Sequence, residues 1–216
     1  MKVVGLLNWY EESPAWLIET VASVSKLCDH IIAVDGPYAA FPGARKTPYS
    51  GSEQADAIFH TAAGLGMGCT IHTPRQPWLG GEVEKRDFMF RIGETFTTEN
   101  DWYFRIDADE ILTDVPVGTR SQLENSAWDV GEVTLWEREF NGESDFRCLF
   151  RARRGLEIRG NHYTVADGDR VLNGSLQVPA LPLPYMRLEH RSHMRPAERQ
   201  RLKKSYYELI PKLEVD

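Results

Sequence analysis

Trp102-Tyr103-Phe104-Arg105-Ile106-Asp107-Ala108-Asp109-Glu110-Ile111-Leu112 is an aromatic and aliphatic run that ends in clustered carboxylates. It reads as a buried strand with an acidic tip. Side chains of a strand alternate faces, so Asp107 and Asp109 are expected on one side, about 7 Å apart, with Ala108 between them and Glu110 on the other side. At an effective dielectric near 20, two such charges repel by about 2 kcal/mol. A divalent cation would turn that repulsion into attraction, because Mg²⁺ and Mn²⁺ take oxygen ligands and bridge carboxylates to phosphates. The plain alternative is a solvated acidic turn, since Asp-x-Asp is short and acids are common on surfaces.

Other apolar runs of the same kind flank this one. Residues 3–7 read as a first strand, and Ser13-Pro14 opens a helix in which Leu17, Val21, Val24 and Leu27 recur at helical spacing. A second strand ends in Val34-Asp35-Gly36. After a proline- and glycine-rich loop at 37–51 come a helix from Ser52, a strand at 69–73 and a helix at 82–96. Strands that alternate with helices predict an α/β fold, a mostly parallel (mixed) sheet flanked by helices. In such a sheet ligands sit beyond the carboxyl ends of the strands, here the ends carrying Tyr10, Asp35 and Asp107. Further along, residues 131–138 and 147–151 read as strands and 178–184 as a proline-rich connection. Residues 196–210 read as a last helix stopped by Pro211. Arg199 and Lys203 lie one turn apart on the same face of that helix, while Leu202, Tyr206 and Leu209 supply an apolar face, and the pair can form a basic lid.

With 216 residues, 42% hydrophobic and 26% charged, the chain has the composition of one soluble globular domain and not of a disordered or disulfide-stapled chain. Cys28, Cys69 and Cys148 are odd in number and widely spaced in apolar surroundings, so buried thiols are expected. No membrane span and no cleavable leader are read from the residues, which makes the cytoplasm the expected location. Residues 1–140 carry 11 basic and 22 acidic side chains, and residues 141–216 carry 14 and 10. The basic C-terminal third suits a phosphate-bearing ligand, whereas the acidic body argues against nucleic acid as a partner.

The order of these pieces resembles that of family 2 nucleotide-sugar glycosyltransferases, with their single Rossmann-like domain of the GT-A type. The resemblance covers residues 3–205 and rests on Tyr10-Glu11-Glu12 before the first helix, Val34-Asp35-Gly36, Glu84-Lys85-Arg86 and Asp107-Ala108-Asp109-Glu110. It extends to Cys148-Leu149-Phe150-Arg151 ahead of Gly155 and His162. Tyr10 stands where the family has asparagine. The resemblance implies one domain over residues 1–216: a nucleotide-binding half (1–112), an acceptor-side half (113–195) and a C-terminal basic helix (196–216). It implies transfer of a sugar from a nucleoside diphosphate sugar, of UDP or GDP type, to a hydroxyl acceptor, with inversion and with Mn²⁺ or Mg²⁺ as cofactor. Asp109 is then the direct metal ligand, Asp107 a ribose or water-mediated contact, and His190 the histidine that completes the metal shell, with His193 as its substitute. Asp35 matches the contact to the nucleobase.

Lys85 is a candidate for the diphosphate or sugar and Arg199 and Lys203 for the diphosphate, with Tyr10 on the same rim and Arg86 beside Lys85; the plain alternative for these basic residues is a solvated helical face. Glu137 and Glu139, expected on one face of a strand, are the candidate bases, because an inverting transfer needs a carboxylate to deprotonate the acceptor. Trp136 and His162 are placed on the acceptor side, and Trp78 and Tyr163 are further candidates to stack on a sugar, although most aromatics are core. Two other readings stay open. A nucleotidyltransferase would need a glycine-rich phosphate loop after the first strand, which Asn8-Trp9-Tyr10-Glu11-Glu12-Ser13 lacks. A non-catalytic module would bind the nucleotide sugar without turnover.

Overall fold

The apolar runs at 3–8, 30–34 and 102–107 form strands buried on both faces in the computed structural model, which describes residues 1–42, 48–160, 164–173 and 178–213. β1 (Val3–Asn8), β2 (His30–Val34), β3 (Gly68–His72) and β4 (Trp102–Asp107) are parallel, with β1 between β2 and β4 and β3 outside β2. Alternate side chains enter two separate cores. Val3, Leu7, Ile31, Ala33, Trp102, Phe104 and Ile106 pack with Leu17 and Val21 of α1 (Pro14–Val24) and Ile58 of α2 (Ser52–Gly64). Val4, Leu6, Ile32, Val34 and Tyr103 face the other way and pack with Met89 and Phe90 of α3 (Gly81–Gly93). The approach of α3 to β4 is close enough to require glycine: a Cβ on Gly93 would lie 2.5 Å from Cε1 of Tyr103.

After β4 the chain makes a tight turn into β5 (Glu110–Asp114), and α4 (Thr119–Asn125) leads to β6 (Val130–Glu137) and β7 (Gly142–Arg151). β8 (Leu156–Ile158), β9 (Val165–Asp167) and β10 (Arg170–Val171) form a small antiparallel sheet. β11 (Leu181–His190) returns to the main sheet, and α5 (Ala197–Leu213) closes the chain. The main sheet has eight strands in the order β3-β2-β1-β4-β7-β6-β11-β5. β7 runs antiparallel to β4 and β6, while β11 is parallel to β6 and antiparallel to β5, so the sheet is mixed. No helix among the described residues is long and apolar enough to cross a membrane.

Three sequence expectations are corrected here. Residues 181–184 belong to a strand and not to a connection; the register of β11 against β6 breaks between Leu183 and Arg187. Pro184, which lacks the N–H that a regular ladder needs, falls in that break, while Pro182 stays in register opposite Glu132 and Leu183 and Met186 stay buried. Pro211 does not stop the last helix, which continues to Leu213, because a proline this near the end forfeits a single hydrogen bond. β6 ends at Glu137, and Arg138–Phe140 form a 3₁₀ turn, so Glu139 is exposed and does not share the face of Glu137.

Candidate functional site

The acidic tip is built by a turn and not by a continuing strand. β4 ends at Asp107 and β5 begins at Glu110, leaving Ala108 and Asp109 to reverse the chain. The Asp107 N–H donates to Glu110 Oε2 at 2.8 Å, and Thr20 Oγ1 of α1 donates to the carbonyls of Ala108 (3.2 Å) and Glu110 (3.1 Å). Glu110 therefore folds back beside Asp107, against the expectation from strand alternation, and lines the same cavity. Burial first, and then the Asp107 charge, raise its carboxyl above the ordinary range.

That cavity has a volume of about 360 Å³ and opens beyond the carboxyl ends of β1, β2 and β4, where the sequence placed the rim. Asp107 is held from α3: Nη2 of Arg86 lies 2.9 Å from each of its carboxylate oxygens, with the hydrogen bond going to Oδ2. The Arg86 guanidinium is only 2% exposed and also donates to Glu82 Oε1 one turn earlier, from Nε at 3.2 Å and Nη2 at 2.7 Å. Burial opposes ionisation of Asp107, but Arg86 outweighs it and holds the carboxyl below its usual value.

Asp109 is buried and surrounded by cations from the C-terminal segment. Its Oδ2 lies 2.9 Å from Nη1 of Arg195, 3.5 Å from Nε2 of His190 and 3.7 Å from Nζ of Lys203, and accepts from Ser192 Oγ at 3.0 Å. Against the cost of burial, Arg195, His190 and Lys203 hold this carboxyl well below the carboxylate range. The contact with Asp109 in turn raises the His190 imidazole to about 9, against its own burial. Nδ1 of the same ring is 3.6 Å from Oε1 of Glu137, so a charged imidazole bridges the acidic tip to the end of β6.

The other cations are also placed by specific partners. Lys85 of α3 is almost fully buried and donates to the carbonyls of Trp9 (2.6 Å) and Gly36 (2.8 Å), and burial lowers its ammonium to about 7. Arg195 and Arg199 both donate to Oε1 of Glu12, and Arg199 also donates to the Tyr10 carbonyl. The Arg199 guanidinium lies over the rings of Phe41 (5.1 Å) and Tyr10 (5.7 Å), while the Tyr38 ring stacks on Tyr206 of α5 at 5.2 Å. One wall of the cavity is thus aromatic and joins the loop after β2 to the last helix.

Of the residues singled out in the sequence, Tyr10, Lys85, Asp107, Asp109, Glu137, His190, Arg199 and Lys203 line this one cavity. Asp35 turns inward instead: its carboxylate accepts from the N–H of Gly36 (2.6 Å) and from the N–H and Oγ of Ser50 (2.7 and 2.6 Å), fastening the loop. Trp78 donates from Nε1 to the Asp35 carbonyl at 2.8 Å and packs on Phe88, a structural position. Trp136 alternates with Leu135 and Glu137 of the cavity wall and sits under Arg138, 5.0 Å from its guanidinium carbon. Glu139 and His193 are not among the lining residues, and His162 and Tyr163 lie outside the described residues.

Sequence reading gave no role to Glu12, Arg195, Tyr38 or Phe41, and it excluded Glu110. A signal for Arg195 was present. Arg195, Arg199 and Lys203 repeat every fourth residue, although Pro196 and the start of α5 at Ala197 place the first member ahead of the helix.

The expected metal ligands do not fit a divalent cation in this arrangement. Asp107 is committed to Arg86 and Asp109 to Arg195, His190 and Lys203. Among the described residues no three His, Cys, Asp or Glu side chains are placed to hold an ion together. Comparison with models of known protein families finds no match, and comparison with curated proteins finds none.

Proposed function

We propose that this protein is a glycosyltransferase that moves a sugar from a nucleoside diphosphate sugar, of UDP or GDP type, to a hydroxyl acceptor. One observation carries the reading: cations, carboxylates and an aromatic wall converge in a single cavity of about 360 Å³ beyond the ends of the parallel strands. An aromatic wall offers a surface for a planar base or a sugar face, and the cations suit a diphosphate. Glu137 is the candidate base. It ends β6 at the cavity, 41% exposed and open to an incoming acceptor, with His190 at 3.6 Å to orient it.

In the proposed reaction the acceptor oxygen attacks the anomeric carbon from the side opposite the leaving group and gives its proton to Glu137. The bond from that carbon to the diphosphate oxygen breaks, and the nucleoside diphosphate departs with the electron pair. Negative charge grows on the leaving oxygens in the transition state, where Lys85, Arg199 and Lys203 stand to stabilise it.

The test is release of nucleoside diphosphate from a panel of nucleotide sugars, with Glu137→Gln expected to slow release by about 100-fold or more while the donor still binds. If no nucleotide sugar is turned over and none raises the melting temperature, the reading fails. The engagement of Asp109 with three cations favours a second reading, a module that binds the nucleotide sugar without turnover. That module would show the thermal shift and release nothing.

A further inference from the structure

Arg195, Arg199 and Lys203 reach the cavity wall at successive four-residue intervals. Arg195 contacts Glu12 and Asp109, Arg199 contacts Glu12, and Lys203 contacts Asp109. Three cations thus crowd onto two carboxylates along one wall, while Glu82, Asp107, Glu110 and Glu137 line the rest of the cavity. Lys85 also lines the cavity and spends its hydrogen bonds on the two neutral carbonyls of Trp9 and Gly36 and not on a carboxylate. The acids that a divalent cation would require are the ones that hold this stripe in place. For an ion to take Asp109, it must first displace Arg195, whose side chain is 9% exposed and is held by Glu12 as well. A charge pair this buried is costly to open.

We infer that the cavity binds the diphosphate of its ligand through Arg195, Arg199, Lys203 and Lys85, without a divalent cation. The inference rests on the nucleoside-diphosphate reading above and names what replaces the ion in it. In this arrangement Glu12 and Asp109 are anchors for the cationic stripe, and the phosphate oxygens take up the donors that the anchors leave free. Charge neutralisation by guanidinium and ammonium groups is chemically sufficient for phosphate, because a guanidinium presents two parallel N–H donors and an ammonium three.

Calorimetric titration of UDP and of GDP into the protein, once with excess EDTA and once with excess Mn²⁺, tests this directly. The better nucleotide is expected to bind with dissociation constants that agree within about threefold in the two conditions. Lys203→Met, a change at a side chain 35% exposed, is expected to weaken binding in EDTA by about tenfold. Asp109→Asn, which removes one of the two anchors of the stripe, is expected to change binding by the same factor in EDTA and in Mn²⁺. A metal ligand in the same position would lose affinity in Mn²⁺ and not in EDTA. Binding seen only with Mn²⁺ and lost in Asp109→Asn would overturn the inference while leaving the glycosyltransferase reading intact. Absence of binding by either nucleotide in both conditions would overturn the two together.

Discussion

Arg86→Met is the sharpest test of how the acidic tip is held. The guanidinium is 2% exposed and faces Glu82, 7% exposed, and Asp107, 27% exposed, at 2.7 and 2.9 Å. Removing it leaves two carboxylates in a low-dielectric environment without their cation. Breaking a buried pair by deleting one partner costs about 3–5 kcal/mol, a large part of the stability of a domain of this size. Asp107→Asn alone is expected to cost less, about 1–3 kcal/mol, because Arg86 keeps Glu82. The double variant should then be more stable than the sum of the two losses predicts, with a coupling of about 1–3 kcal/mol.

Acidity supplies a second axis. In the wild type the carboxyl of Asp107 is held down, so its contribution is present above the unfolded-state value and is lost as pH falls through the folded one. In Arg86→Met the cation is gone and burial favours the neutral acid, so the deficit should be largest at about pH 7.5 and shrink toward about pH 5. Urea denaturation followed by tryptophan fluorescence at both values measures this. A loss below about 1 kcal/mol, the range of an exposed ion pair, or strict additivity in the double variant would refute the buried-clamp reasoning.

Two further outcomes follow from the site geometry. His190→Gln should remove a pH dependence of stability. The wild-type imidazole is raised to about 9, so its stabilisation is complete below the unfolded value near 6.5 and disappears as pH rises through 9; melting curves across that interval should converge at the alkaline end. Gly36→Ala should destabilise by about 2–4 kcal/mol, since the residue has φ +106° and an added Cβ would lie 2.5 Å from Pro74 Cγ and 2.9 Å from the Pro48 carbonyl oxygen. An unchanged melting temperature would show that the loop fastened by Asp35 is not packed as described.

What the sequence determined by itself was the parallel half of the sheet and the rim. Runs such as Val3–Asn8 and Trp102–Asp107 are apolar at both odd and even positions, a local property that says both faces are covered before any neighbour is known. The spacing of Arg199 and Lys203 marked one face of the last helix, and that face does meet the cavity. Asp107 and Asp109 converge as foreseen, but through a turn, and the turn reverses the expected orientation of Glu110.

Only the tertiary structure decided which charges answer which. Glu12 meets Arg195 across 183 positions of sequence, and Ser192 and the cations of the C-terminal segment reach back to Asp109. Asp35, which follows β2 on the rim, spends its carboxylate on Ser50 and Gly36 because the following loop folds over it. Periodicity is written in neighbouring residues and survives any fold that uses them. A charge–charge partnership depends on two distant elements arriving at one place, and with fixed composition many pairings are possible. Here the path of β11 and α5 selects one of them, giving the acidic tip a set of protein cations as its partners.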